Sequence, residues 1–176
     1  MGTRDDPSAD VQIVEIASCP HVGARLARWH VGAFGHLYPA WDEATAEAEF
    51  AAMTVPGRIP TTWVAFAGSD RSEDAVLGSV SLIADDELDG FRDEGPWLAS
   101  LFVAPPARGR GLGERLVGVC LDAAAGLEAG RVLLFTDDHE DYYARRGWAV
   151  VARTTANGVD VRVMAIDPRT AVQRER

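Results

Sequence analysis

Six consecutive residues carry the clearest chemical signal in the chain: Arg108-Gly109-Arg110-Gly111-Leu112-Gly113. They follow an apolar run, Trp97 to Val103, closed by Pro105 and Pro106, because proline has no N–H to give to a ladder. They precede a helical pattern in which Leu112, Leu116, Val119, Cys120 and Ala123 form an apolar stripe reaching to about Glu128. A helix that starts here leaves its first N–H groups unpaired at the positive end of its dipole, which makes an anion site. Glycine at alternate positions lets the backbone approach a ligand closely and take positive φ. Arg108 and Arg110 add charge beside it. A phosphate-bearing ligand fits such a loop.

The spacing narrows the choice of ligand. A dinucleotide fingerprint needs Gly-x-Gly-x-x-Gly, but the sixth position counted from Gly109 is Glu114 and from Gly111 is Leu116. A P-loop needs Gly-Lys-Ser/Thr, and the chain contains no lysine. What remains fits Arg/Gln-x-x-Gly-x-Gly/Ala and resembles the pyrophosphate loop of the GNAT superfamily of N-acetyltransferases. A strand-to-helix turn that binds nothing is the bland alternative. A second segment, Tyr142-Tyr143-Ala144-Arg145-Arg146-Gly147-Trp148, weighs against it, because it resembles the family's Phe-Tyr-x-x-x-Gly-Phe.

The resemblance implies acetyl-CoA as cosubstrate and no metal. Its pyrophosphate would be held by Arg108, Gly109, Arg110, Gly111, Leu112 and Gly113. Backbone groups of Leu101, Phe102 and Val103 would pair with the pantetheine arm in a gap between the fourth and fifth strands. Thr136 stands at the edge of that gap, where the family often has asparagine. The family's tyrosine falls on Tyr143, whose phenol would protonate the leaving thiolate, a role a phenol suits because it is protonated at neutral pH. The implied reaction is direct attack of a primary amine on the thioester in a ternary complex. A base is needed, because an alkylamine is mostly protonated at pH 7. The glutamate that some members carry on the fourth strand is replaced by Ala99. Candidates for the base are His139, which is the one assigned here, and Asp137, Asp138, His36, Glu94 and the Asp85-Asp86-Glu87 cluster. On the acceptor side His36, Tyr38, Trp41, Asp85 and Asp86 are expected to line the pocket, and the acidic run from Asp85 to Glu94 would attract a small cationic amine or a peptide amine.

The elements that must position these residues can be read along the chain. Its 176 residues, 47% hydrophobic and 25% charged, suit one globular domain. The net charge of −10 argues against nucleic acid and anionic membrane as partners. Cys19 and Cys120 stand in no metal or redox spacing. No long apolar run and no basic, apolar leader is present, so a cytoplasmic location is expected. Residues 1–10 are polar and expected to fray, 11–167 to form the domain, and 168–176 to be a flexible charged tail.

Strands are expected at Val11 to Ala17, Thr61 to Ala67, Val76 to Ala84, Trp97 to Val103, Arg131 to Thr136, Trp148 to Thr155 and Val159 to Ile166, the last two joined by the hairpin signal Asn157-Gly158. Helices are expected at His21 to Phe34, from Asp42 with Ala46, Phe50 and Met53 as its stripe, from Leu112, and at Asp137 to Arg146. Gly78 marks a bulge or a close approach. The order β-α-α-β-β-β-α-β-α-β-β resembles the GNAT fold, an α/β architecture with a mixed central sheet and helices on both faces. Two readings outside the enzyme class stay open: an acyl-CoA-binding sensor of the same fold, and a partner-binding module whose loop is only a turn. The C-terminal hairpin offers an edge strand through which two copies could form a homodimer.

Overall fold

The computed structural model describes residues 11–172. The expectations for residues 1–10 and 173–176 lie outside the described residues. The strands are β1 Val11–Glu15, β2 Thr61–Ala67, β3 Val76–Ile83, β4 Trp97–Val103, β5 Val132–Thr136, β6 Ala149–Ala156 and β7 Val159–Ile166. The helices are α1 Gly23–Phe34, α2 Glu43–Ala52, α3 Leu112–Gly126, α4 Glu140–Ala144 and α5 Pro168–Val172. The seven strands form one sheet in the order β1-β2-β3-β4-β5-β7-β6. All neighbours are antiparallel except β4 and β5. The sheet is therefore mixed, as expected, and β6 of the C-terminal hairpin forms one edge.

β2 is buried along both faces. Trp63 and Ala65 pack toward α3, while Val64 and Phe66 pack toward α1 and α2. The α3 side holds one cluster built on Leu116, Cys120, Leu134 and Met164. The opposite side is divided in two: Leu26, Phe50 and Phe66 lie under α1 and α2, and Leu37, Trp97, Leu133 and Val163 lie beyond β4. That division follows from a break in the sheet. β4 and β5 share one paired position, Trp97 with Leu133, and one hydrogen bond beside it, Leu133 N–H to Pro96 O at 3.0 Å. Beyond it the strands part.

A bulge in β4 accounts for the parting. On the β3 side Ala99 pairs with Ser81 and Phe102 with Ser79, so Ser100 and Leu101 together stand opposite Val80. Ser100 has φ +52°, a sparsely populated region for a residue with a Cβ. A bulge bends and twists its strand, and this one turns the C-terminal half of β4 away from β5. Gly78 meets the expectation of a close approach: a Cβ there would lie 2.5 Å from Phe102 O.

Three local expectations are corrected. The first strand ends at Glu15, and Ile16–Ser18 is a 3₁₀ turn in which Ser18 Oγ donates to Glu15 O at 2.7 Å. The buried stripe of α3 runs through Leu112, Leu116, Val117, Cys120, Leu121 and Ala124, rotated from the expected one, so Val119 and Ala123 sit at its margin. The tail expected from residue 168 begins as a helix that packs on α3. Asp167 Oδ1 accepts from Arg169 N at 3.0 Å and Pro168 takes the first helical position, a favoured start.

Candidate active site

The glycine loop occupies the open end of the β4–β5 gap, between the last residue of β4 and the first of α3. Gly109 and Gly111 have φ +74° and +75°, and a Cβ at either would have nothing within 4 Å. Their conformation, not crowding, is what calls for glycine. Gly111 is the N-cap of α3 and offers no side-chain cap. Among the described residues the backbone N–H groups from Gly109 to Glu114 have no hydrogen-bond partner; the first helical bond is Arg115 N to Gly111 O, 3.1 Å. Six successive donors at a helix N-terminus form an anion cradle. Leu112 is buried and anchors the helix start.

The two loop arginines differ. Arg108 folds back: its Nε donates to Val103 O at 2.9 Å and its guanidinium lies 5.9 Å from the Phe102 ring. Arg110 is exposed and unpaired among the described residues. Gly113 differs from the other two glycines. A Cβ there would lie 3.0 Å from Tyr142 Oη, so this glycine admits α4 against the first turn of α3. Arg146 reinforces the contact, stacked 3.8 Å over the Tyr142 ring and 3.8 Å from Glu114. Leu101, Phe102 and Val103 are partly exposed where β4 borders the gap, whereas Trp97, Leu98 and Ala99 before the bulge are buried.

α4 places Tyr143 in the core cluster under α3, edge-on to Tyr142 at 5.0 Å and to Trp148 at 5.8 Å. Its hydroxyl has no hydrogen-bond partner among the described residues, and burial, with Tyr142 and Cys120 nearby, holds its pKa above the usual phenol value. It therefore stays protonated at neutral pH. Thr136 ends β5 buried, and its Oγ1 accepts from His139 N at 3.1 Å, shaping the turn into α4. The His139 side chain is 65% exposed and paired with Asp138.

On the other face, residues 35–41 are tied down at three distant points. His36 Nε2 meets Asp137 Oδ2 at 2.8 Å, just past the end of β5. Tyr38 Oη donates to Asp86 Oδ1 at 2.8 Å, in the β3–β4 loop. Asn157 Nδ2, at the β6–β7 turn, donates to Leu37 O at 2.5 Å. Burial raises the Tyr38 phenol, and the Asp86 charge adds to it. Burial and the neighbouring Asp85 and Glu87 charges push Asp86 up to about 7 against the opposing Tyr38 hydrogen bond. Burial is the largest single influence on Asp137 and raises it, yet the His36 hydrogen bond, a backbone N–H, the His36 charge and Asp138 together hold its carboxyl below the usual range. Tyr38 packs on Phe135 at 6.0 Å and on Trp41 at 5.9 Å, and Trp41 Nε1 donates to Glu49 at 3.1 Å. Asp85 serves its own loop, accepting from Glu87 N at 2.8 Å. A cavity of about 560 Å³ borders the glycine loop on its α1 side, near Trp29, Leu77 and Arg110; neither Tyr143 nor Asp86 lines it.

Sequence reasoning named Tyr38 and Asp86 separately and missed that they bond. It also missed Ser100, Asn157 as a tether, and the His36–Asp137 pair. The three tethers have no local signal, since their partners lie 48 to 120 residues apart, and the bulge at Ser100 is set by pairing with β3.

β4 and β5 part after a single paired position, and the glycine loop and the uncapped start of α3 follow β4. The model of the acetyltransferase (GNAT) family matches residues 24–148. The chain belongs to the GNAT acetyltransferase family. No match was found among the curated proteins. Solved structures of this fold include a putative acetyltransferase from Exiguobacterium sp. 255-15, 16% identical, with TM-score 0.64 over 95% of this chain and 99% of that one. The spermidine/spermine N-acetyltransferase SpeG from Vibrio cholerae is 14% identical, with TM-score 0.62 over 96% and 99%. A GCN5-related N-acetyltransferase from Rhodopseudomonas palustris is 17% identical, with TM-score 0.58 over 90% and 96%. At these identities the likeness is one of fold. No helix among the described residues is long and apolar enough to cross a membrane.

Proposed function

We propose that this GNAT member is an N-acetyltransferase that moves an acetyl group from acetyl-CoA to a primary amine held in the same site. The observation that carries the reading is the run of unpartnered N–H groups from Gly109 to Glu114 at the uncapped start of α3. These donors, with Arg110 beside them, suit a pyrophosphate. The backbone of the partly exposed residues Leu101, Phe102 and Val103 would take the pantetheine arm along the side of β4 that β5 leaves unpaired. When bound, the cosubstrate supplies an activated acetyl thioester. Tyr143 supplies a neutral phenol with a free hydroxyl and gives the departing sulfur its proton.

The acceptor is a cationic amine. Support comes from the aromatic and acidic wall of Tyr38, Trp41 and Asp86, and from the net charge of −10, which draws cations. Among proteins of this fold, the Vibrio cholerae neighbour is a spermidine/spermine N-acetyltransferase.

The test pairs binding with turnover. Acetyl-CoA and free coenzyme A should raise the melting temperature of the wild type, and ATP should not, because a ligand of the folded state stabilises by RT ln(1 + [L]/Kd). Tyr143→Phe should keep that shift while thiol release with an amine falls about 10²-fold or more. An unchanged melting temperature at millimolar acetyl-CoA would overturn the donor reading. Full turnover by Tyr143→Phe would remove the acid.

A further inference from the structure

The acidic run between β3 and β4 resolves into acids with different employment. Asp85 accepts from its own loop and lies 3.9 Å from Arg92. Glu94 is paired with Arg131. Glu87, Asp89 and Asp93 are exposed. Asp86 stands apart. It is partly buried, its partner is the Tyr38 hydroxyl, and no arginine or histidine pairs with it among the described residues. A carboxylate partly shielded from water and lacking a cation is unfavourable, and that setting is suited to a cation that arrives with the substrate.

The surroundings fit an ammonium group. Tyr38 stands between Trp41 and Phe135, whose ring lies 6.2 Å from Trp97. Faces of this kind attract cations. Trp97 and Leu133 are the last paired residues before β4 and β5 part. Phe135 is two residues further along β5 and shares the face of Leu133, on the side opposite α3. Asp86 and Tyr38 thus stand at the closed end of the gap, on the face away from Tyr143.

We propose that Asp86 receives the acceptor's ammonium group and takes its first proton, with Tyr38 aiming the carboxylate. The inference rests on the acetyl-transfer reading. The carboxylate removes one proton from R–NH₃⁺ and becomes a carboxylic acid, leaving R–NH₂. The nitrogen lone pair forms the N–C bond at the thioester carbonyl, and the C–S bond then breaks with its electron pair on sulfur. The nitrogen gives up a second proton, which balances the one that the thiolate gains through Tyr143. Asp86 returns its proton to water, so the sum is amide, thiol and one released proton. Asp86 is held near neutrality by burial and by Asp85 and Glu87, while Glu49 faces Tyr38 from α2. A base poised there works best near physiological pH.

The experiment measures thiol release from acetyl-CoA with spermidine, tyramine and a peptide bearing a free α-amine. Wild-type kcat/KM should fall away on the acid side of about pH 7. Asp86→Asn, close in size and shape, should lose about 10²-fold in kcat/KM and that acid limb with it, while its melting shift with acetyl-CoA matches the wild type. Tyr38→Phe removes a hydrogen bond that lowers the Asp86 pKa, so its acid limb should move to higher pH. A purely structural role for the pair would not move the limb. Turnover by Asp86→Asn within twofold of an active wild type, or an acid limb unmoved in Tyr38→Phe, would overturn this inference and leave acetyl transfer standing. A wild type that binds acetyl-CoA and releases no thiol with any of the amines would overturn both.

Discussion

The two sides of the β4–β5 gap are built by different means. The proposed donor side is made of backbone: two glycines at positive φ, six N–H groups free among the described residues and the end of a helix, all within residues 109–114. The proposed acceptor side is made of side chains that reach across the fold. Its loop, residues 35–41, is held by Asp137, Asp86 and Asn157, from three separate connections of the sheet. A backbone site is local and keeps its chemistry wherever the loop forms. A side-chain site exists only once the sheet has brought its parts together, so its specificity can change by substitution without disturbing the cradle opposite.

That contrast can be broken most sharply at Gly111. Gly111→Val puts a β-branched residue at φ +75°, where the left-handed conformation costs about 1–2 kcal/mol. The KM for acetyl-CoA should rise about tenfold, taking 1.4 kcal/mol per decade, while the acceptor KM stays put. An unchanged acetyl-CoA KM in a folded variant would show that the loop is not the donor cradle.

Asn157→Ala probes the opposite side. It removes the donor to Leu37 O and places alanine at φ +48°, a loss of about 1 kcal/mol for the hydrogen bond. The acceptor KM should rise a few-fold with the acetyl-CoA melting shift intact. If both substrates weaken equally, the two sides are not independent.

The smallest effect is expected where the sides are tied together. Glu140, at the start of α4, accepts from Arg153 on β6 and from Arg162 on β7. Its pKa is lowered first by the Arg153 hydrogen bond, against a little burial and with help from Arg162. A carboxylate whose folded pKa is depressed stabilises the fold above its unfolded value, about 4.3 for glutamate, and that stabilisation is lost as pH falls through the folded value. Glu140→Gln should therefore melt below the wild type at neutral pH, and the two melting temperatures should converge as pH falls through the folded value of Glu140. A gap that persists in acid would show that packing, not the ion pair, makes the tie.

Much of the fold was legible along the chain. β2, β4 and β7 begin and end as their patterns predict, because β-branched and aromatic runs were bounded by turn residues. Asn157-Gly158 closes its hairpin with both residues at positive φ, +48° and +83°, as a two-residue turn requires. Where the reading erred, tertiary packing or an overlooked cap had decided. Ile16 is buried in a turn that could pass for strand. The face of α3 turned so that Val117 and Leu121 enter the core, a choice between adjacent apolar rows that only the sheet beneath can make. Asp167-Pro168 is a helix start of local sequence, a capping carboxylate followed by proline at the first helical position, where a charged tail was expected.

The sequence by itself determined the conformation of the glycine loop, because glycine spacing, proline stops and a helix start act through the backbone over a few residues, and such local constraints survive without the rest of the fold. The resemblance of residues 142–148 to the family's segment singled out Tyr143, whose proposed role awaits the Tyr143→Phe test. Only the tertiary structure decided where β4 bends, since the bulge at Ser100 is defined by its register against β3. Only the tertiary structure singled out Asp86 from the acids around it, because desolvation and a partner 48 residues away are properties of a packed interior and not of a chain.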